Sequence, residues 1–199
     1  MLGSFADFPS VVKIAYKYVH LSDTRRRAIN SDSRTSRLTA ARLSNLEPGG
    51  YLELQELTIP VRCDDATLDP NGYLSRWCNY ILEAAANAGR PVFPTTEYSR
   101  YMRDAGFEDV TVIQRKWPTN PWPRDKQFKE LGLWAYEDLG EGLEGLSLAH
   151  FTRGLGWSRE ETLVFCAHTR NELRSRNIHA YWPMWVLLIL PYPVEFYWG

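Results

Sequence analysis

Glu53, Gln55 and Glu56 alternate with Leu52 and Leu54, which is the period of a strand. In open α/β sheets ligands sit beyond the carboxyl ends of the strands. Gln55 and Glu56 fall at that end of the predicted strand over 50–57. An amide or carboxylate placed there orients a nucleophile or accepts its proton. The competing reading is a strand with one polar face. Trp117 stands beyond the carboxyl end of the next predicted strand, where its indole walls a pocket. Aromatic packing beneath a proline-rich loop is an equal alternative. Gln55, Glu56 and Trp117 are therefore the candidate substrate-pocket residues, and no residue is singled out as catalytic.

Other chemical motifs are weak. Gly140-Glu141-Gly142-Leu143-Glu144-Gly145 spells G-x-G-x-x-G. A dinucleotide turn must follow a strand and open a helix, so that backbone N–H groups face phosphate. This run follows the helical pattern of Phe128 to Leu139, and Glu141 and Glu144 repel an anion. It reads as a helix C-cap and turn. His20, His150, His168 and His179 have no Cys or carboxylate at metal-ligand spacing, so no metal site is expected. G-x-S-x-G, H-E-x-x-H and P-loop patterns do not occur in the sequence.

The elements that carry these residues follow from periodicity. Phe8, Val11, Val12, Ala15, Tyr16 and Val19 predict an amphipathic helix over 5–19, with Asp7 as cap before Pro9. Residues 20–45 hold 6 Arg, 5 Ser and 3 Thr, with no period of 2 or 3.6, and read as a disordered, solvated insert. Arg25-Arg26-Arg27 reads as a charge run on that insert, with a nuclear-import or nucleic-acid patch as the sharper alternative. Pro48-Gly49-Gly50 makes a tight turn into the strand. Leu74, Trp77, Ile81, Ala85 and Ala88 share a helix face over 72–88, stopped by Gly89. A short helix over 96–105 precedes a strand over 107–116. Three prolines make 116–123 a loop. Two helices follow, one from about Pro123 and one over about 141–153. Ser158-Arg159-Glu160-Glu161 is a capping box opening a helix to about 175. Residues 179–190 predict the last strand.

With 199 residues, 44% of them hydrophobic and 8 Trp, the chain can build one domain with a real core. A net charge of −1 gives no general pull toward nucleic acid or anionic membrane. Residues 1–45 carry 8 Lys/Arg against 3 Asp/Glu, and the remainder 15 against 21. Cys63, Cys78 and Cys166 are an odd number without a C-x-x-C pair, as expected of a reduced cytoplasmic or nuclear protein. No signal peptide is readable after Met1. The longest apolar run, Met184–Leu190, is far short of the ~20 residues of a spanning helix.

Leu46-Glu47-Pro48-Gly49-Gly50-Tyr51-Leu52-Glu53 resembles the turn before the fifth strand of class I S-adenosylmethionine-dependent methyltransferases. The Glu53-Leu54-Gln55-Glu56 ending narrows the resemblance to fungal LaeA-like methyltransferases. Residues 3–18 are similar to that family's segment after its fourth strand, and Ala105-Gly106-Phe107-Glu108-Asp109-Val110 to its helix-to-sixth-strand junction. Lys116-Trp117-Pro118-Thr119-Asn120-Pro121-Trp122-Pro123 also has a very similar counterpart, and the likeness runs to about Val186. The resemblance implies an α/β fold: a partial class I methyltransferase (Rossmann-like) sheet of three C-terminal strands, flanking helices and a helical insertion, within one partial domain over 1–199. It implies S-adenosylmethionine as cofactor and methyl transfer to an unknown acceptor. In that fold the Pro-Gly-Gly turn lies past the middle of the domain, yet here it comes by residue 50. The Gly-rich turn and the following acidic residue of the cofactor site are therefore expected to be missing. The chain is then a truncated gene model or a degenerate paralogue, inactive alone, with 20–45 as an insert or translated intron. The alternative is a non-catalytic interaction module with a protein partner, in the way LaeA-like proteins are associated with nuclear regulatory complexes.

Overall fold

The computed structural model describes residues 52–92, 95–104 and 108–190. The predicted helix over 5–19, the 20–45 insert, the Pro48-Gly49-Gly50 turn, the Ala105–Phe107 junction and His20 lie outside them. The described chain runs β1 (Leu52–Leu57), α1 (Tyr73–Asn87), α2 (Tyr98–Asp104), β2 (Glu108–Pro118), α3 (Lys126–His150), α4 (Arg159–Arg174) and β3 (Tyr181–Leu190). A single 3-10 turn, Thr95–Glu97, leads into α2, and a π turn, Phe151–Leu155, follows α3.

The strands form one three-stranded sheet in the order β1-β3-β2. The last strand in sequence is thus central. It runs antiparallel to both neighbours. The Thr58 amide donates to the Pro183 carbonyl (2.8 Å) while Arg62 and Tyr181 exchange both backbone bonds (2.9 and 2.8 Å), so one strand ascends as the other descends. Past β2, the Thr119 amide donates to Ala180 (3.1 Å) in the same sense. This is the mixed α/β fold expected for the C-terminal strands of a class I methyltransferase, with β1 paired to the final strand and the α3–α4 insertion between the last two strands in sequence.

Two compact units divide the described residues. One holds those up to Gln55, those within Thr96–Ile113 and those from Val186 on; α2 belongs to it, with Met102 buried. The other holds Glu56–Thr95 and Gln114–Trp185 and contains the main core. In this second unit α1 buries Leu74, Trp77, Cys78, Ile81, Ala84 and Ala85. Ala88, expected on that face, is exposed because the helix has already ended at Asn87, and Gly89 takes the left-handed φ of +69°. Phe165, Cys166 and Leu173 from α4, Leu143 from α3, and Val61, Phe151, Ala180 and Trp182 complete the cluster. Tyr80, Phe151, Trp157 and Phe165 meet edge-to-face with centroids 5.0–6.0 Å apart, the geometry that aromatic quadrupoles favour. Trp77 Nε1 donates to Ser147 Oγ (2.8 Å), whose hydroxyl donates to the Leu143 carbonyl (2.6 Å), so this buried polar pair is satisfied.

Two sequence expectations are corrected. Residues 116–118 are not loop: β2 runs through Lys116 and Trp117 to Pro118. Proline is excluded from central strands because it lacks an N–H, but β2 lies at an edge of the sheet, where one side needs no donor. Residues 126–150 are one helix of 25 residues rather than two. Its start is capped by Asp125, whose side chain accepts from the Phe128 amide (3.0 Å). The Gly140–Gly145 run is therefore helix interior, not a C-cap and turn. Each glycine there costs roughly 1 kcal/mol relative to alanine, but Gly140 is buried beneath the Tyr136 ring, and its carbonyl accepts from Arg170 Nε of α4 (2.9 Å). Tertiary packing outweighs propensity.

Candidate functional site

Because β3 is antiparallel to β1 and β2, its amino end lies at the carboxyl ends of the other two. Within the second unit that end of the sheet gathers a polar cluster from the Cys63–Thr67 loop, the end of β2 and the His179–Tyr181 entry to β3. The loop is shaped by Asp65, whose Oδ1 accepts from the Thr67 amide (3.2 Å) and hydroxyl (2.8 Å) and from Cys63 Sγ (3.0 Å). Ala66 is held in the left-handed region at φ 59°, a conformation costing an alanine about 1–2 kcal/mol and tolerated where surrounding bonds over-determine it. Thr67 Oγ1 in turn accepts from the His179 amide (2.8 Å). The loop is thereby fastened to the start of β3.

Two carboxylates organise the cluster. Asp64 accepts from Lys116 Nζ through Oδ2 (2.5 Å) and from the Tyr181 hydroxyl through Oδ1 (2.8 Å), and the ammonium lies 4.9 Å from the Tyr181 ring centroid. The Lys116 hydrogen bond, with the Tyr181 one, holds the Asp64 carboxyl below its ordinary range, and the same pairing raises Lys116. Burial first, then the Asp64 contact, raises Tyr181. Its phenol is a donor, not an activated nucleophile. Asp65 Oδ2 meets His179 Nδ1 at 2.5 Å. The donors Cys63, His179 and Thr67 keep the Asp65 carboxyl well below the usual range. Trp122 packs on His179 with centroids 4.8 Å apart, and its indole N–H is fixed to the Ala180 carbonyl (2.8 Å).

The residues singled out from sequence occupy other places. Gln55 is half-buried and Glu56 exposed; both lie within β1, which extends one residue further to Leu57. Each has interaction partners. Trp117 belongs to β2, not to a loop beyond it, and packs half-buried against the core cluster. The Asp65–His179 and Asp64–Lys116–Tyr181 groups were not identified from sequence. Their members are 114, 52 and 117 residues apart, so no local spacing reveals them. Position at strand ends was the only usable signal. Of the remaining histidines, His150 Nδ1 contacts the Leu146 carbonyl and His168 stacks on Tyr73. Among the described residues no group of three or more His, Cys, Asp or Glu could hold a metal ion. All three cysteines are free, and burial pushes the Cys78 thiol up to about 12, which makes it an inert packing residue.

The same unit carries an open groove of about 530 Å³ lined by Tyr73, Arg76, Trp157, Val164, Phe165 and His168, with Glu160 and Glu161 at its rim. The Arg76 guanidinium sits 5.6, 5.7 and 5.4 Å from the Tyr73, Tyr80 and Phe165 centroids.

No protein-family model matches the chain. Curated relatives do. A probable methyltransferase, tdiE, of Emericella nidulans is 36% identical over 185 residues, which is 93% of this chain and 57% of the relative. The secondary metabolism regulator LAE1 of Cochliobolus heterostrophus is 35% identical over 140 residues, 69% of this chain and 46% of the relative. The protein-methionine methyltransferase laeA of Emericella nidulans is 31% identical over 139 residues, again 69% of this chain but 37% of the relative. The chain belongs with the LaeA-like methyltransferases. It spans about half the length of the relatives it matches.

The N-termini of α1, α3 and α4 in this LaeA-like chain do not offer a cofactor cradle. A bound S-adenosylmethionine needs a Gly-rich turn leading from a strand into an open helix N-terminus, as in other α/β nucleotide sites. Here the N-terminus of α1 is filled by the Glu172 carboxylate, which accepts from the Tyr73 (2.9 Å) and Leu74 (2.8 Å) amides. Those of α3 and α4 are closed by Asp125 and by the Ser158–Glu161 capping box. Among the described residues the Gly140–Gly145 run is helix interior. Among the described residues no helix is long and apolar enough to cross a membrane.

Proposed function

We propose that this chain is the acceptor-side portion of an S-adenosylmethionine-dependent methyltransferase domain, and that it does not hold the cofactor unaided. The observation that carries the reading is the sheet order β1-β3-β2 with an antiparallel central strand, found in a chain whose relatives are methyltransferases. Methyl transfer asks the protein mainly for positioning. In this reading Glu56 near the end of β1 orients the acceptor and Trp117 on β2 walls its pocket. The acceptor is a substrate of unknown identity, and the compartment is the cytoplasm or nucleus.

Titration calorimetry of the 199-residue chain with S-adenosylmethionine tests the cofactor half of the proposal: no binding is expected, and stoichiometric micromolar binding overturns it. Fusion to the part of the tdiE relative that this chain does not match should restore binding. A folded fusion that still fails to bind removes the methyltransferase-domain reading.

A second reading, a non-catalytic interaction module, is supported by the relatives named as secondary metabolism regulators and by Trp134, 54% exposed on α3 beside exposed Leu133. It requires no cofactor in either chain or fusion, so the same titrations separate the two.

A further inference from the structure

We propose that Asp65 and His179 form a proton-accepting site for a planar, hydroxyl-bearing ligand, a phenol or enol, with His179 Nε2 as the acceptor atom. An ionised carboxylate only accepts hydrogen bonds. Asp65 facing Nδ1 at 2.5 Å therefore fixes the imidazole proton on Nδ1 and leaves the Nε2 lone pair outward. Among the described residues Nε2 has no partner, and the His179 side chain is 38% exposed. The ring cannot drift. Its backbone amide is tied to Thr67 Oγ1, and the pinned Trp122 indole covers it at 4.8 Å. Half-buried Trp122 also supplies apolar surface for a planar ring.

The charged neighbours do not compete. Lys116 and Tyr181 are both engaged with Asp64, and Cys63 donates to Asp65 Oδ1, away from Nε2. When the ligand binds, its O–H bond breaks and an Nε2–H bond forms. The electron pair stays on the ligand oxygen, and the new imidazolium faces the Asp65 carboxylate. His179 is the proton acceptor; Asp65 is a positioning residue. Proton removal needs no methyl donor, so this inference goes beyond methyl transfer, and its failure would leave that reading standing.

The test uses the 199-residue chain and p-nitrophenol, whose ionised form absorbs separately from the neutral one. At a fixed pH where the free probe is mostly neutral, added protein should raise the phenolate band saturably. His179→Gln should cut the rise at least tenfold, and Asp65→Asn several-fold. Nitrogen-15 NMR of the unliganded chain should show His179 protonated on Nδ1, with Asp65→Asn giving mixed tautomers. A band absent from the unaltered chain, a band undiminished in a folded His179→Gln chain, or an Nε2-protonated His179 in the unaltered chain overturns the proposal. The tautomer measurement needs no variant and stands even if one of them fails to fold.

Discussion

A carboxylate held by several donors stabilises a fold only while it is charged. Asp65 has donors from Cys63, His179 and Thr67, and its carboxyl lies well below the ordinary 3.8. Its folded value is lower than its unfolded one, so its contribution is present above the unfolded value and lost as pH falls toward the folded one. Urea midpoints of the unaltered chain and Asp65→Asn should therefore differ at neutral pH, and the difference should shrink below about pH 4. A gap that is constant with pH would show that Asp65 acts through shape alone. Glu172 makes the second prediction at this scale. Its two oxygens fill the first two amides of α1, and a Cβ on Gly72 would lie 2.9 Å from one of them. Glu172→Ala should cost about 1–2 kcal/mol, the range for losing a helix N-cap, measured by denaturant unfolding; a loss under a few tenths would mean that water replaces the carboxylate. Neither interaction was legible in the sequence. Glu172 is 99 residues from Tyr73, and Asp65 looks like any other loop aspartate until the fold brings His179 to it. The Ser158–Glu161 capping box was legible, because all its bonds close within three residues.

At the scale of the element, α3 shows how packing overrides local preference. Three glycines and two acids over Gly140–Gly145 break the helical pattern in the sequence, yet the helix continues because α4 and Tyr136 cover Gly140. Gly132 is a firmer requirement. A Cβ there would sit 2.2 Å from the Asn120 carbonyl oxygen, which is backbone and cannot rotate away. Asn120 is itself fixed by bonds from Nδ2 to the Leu173 and Ser175 carbonyls (2.9 and 3.0 Å). Gly132→Ala should therefore destabilise by about 1–3 kcal/mol, the usual cost of overpacking, although alanine is the better helix former by roughly 1 kcal/mol. Gly142→Ala, with nothing within 4 Å of the added carbon, should stabilise by up to that propensity difference. Thermal melts of the two variants shifting in opposite directions are expected; a common direction would show that propensity, not contact, governs both positions. Periodicity found α1 because it buries a regular face, and the capping box found α4. Periodicity failed at Pro118 and Gly140, where only the neighbouring element reveals that the local breaker is tolerated.

At the scale of the whole molecule, the sheet has two edges among the described residues, β1 and β2, and their sequences differ. β2 carries Arg115, Lys116 and Pro118, the residue types that blunt an edge against pairing with another chain. β1 reads Leu-Glu-Leu-Gln-Glu-Leu, without lysine or proline, as a strand does whose second side is meant to be paired. The sheet order is not legible through periodicity, since alternation gives a strand's faces but not its neighbours. The contrast between the edges yields the last prediction. In a complete class I sheet a further strand covers the outer side of β1, so the 199-residue chain should associate with itself more readily, and exchange the β1 amides faster, than a fusion that supplies that strand. The fusion with the unmatched part of the tdiE relative should slow that exchange and raise solubility. Sedimentation at several concentrations and hydrogen exchange of β1 read the two effects separately. A monomer that melts cooperatively and protects those amides as well as the fusion does would mean that β1 is already paired or covered on both sides. The chain would then be a self-contained fold, and the acceptor-side reading would have to be abandoned.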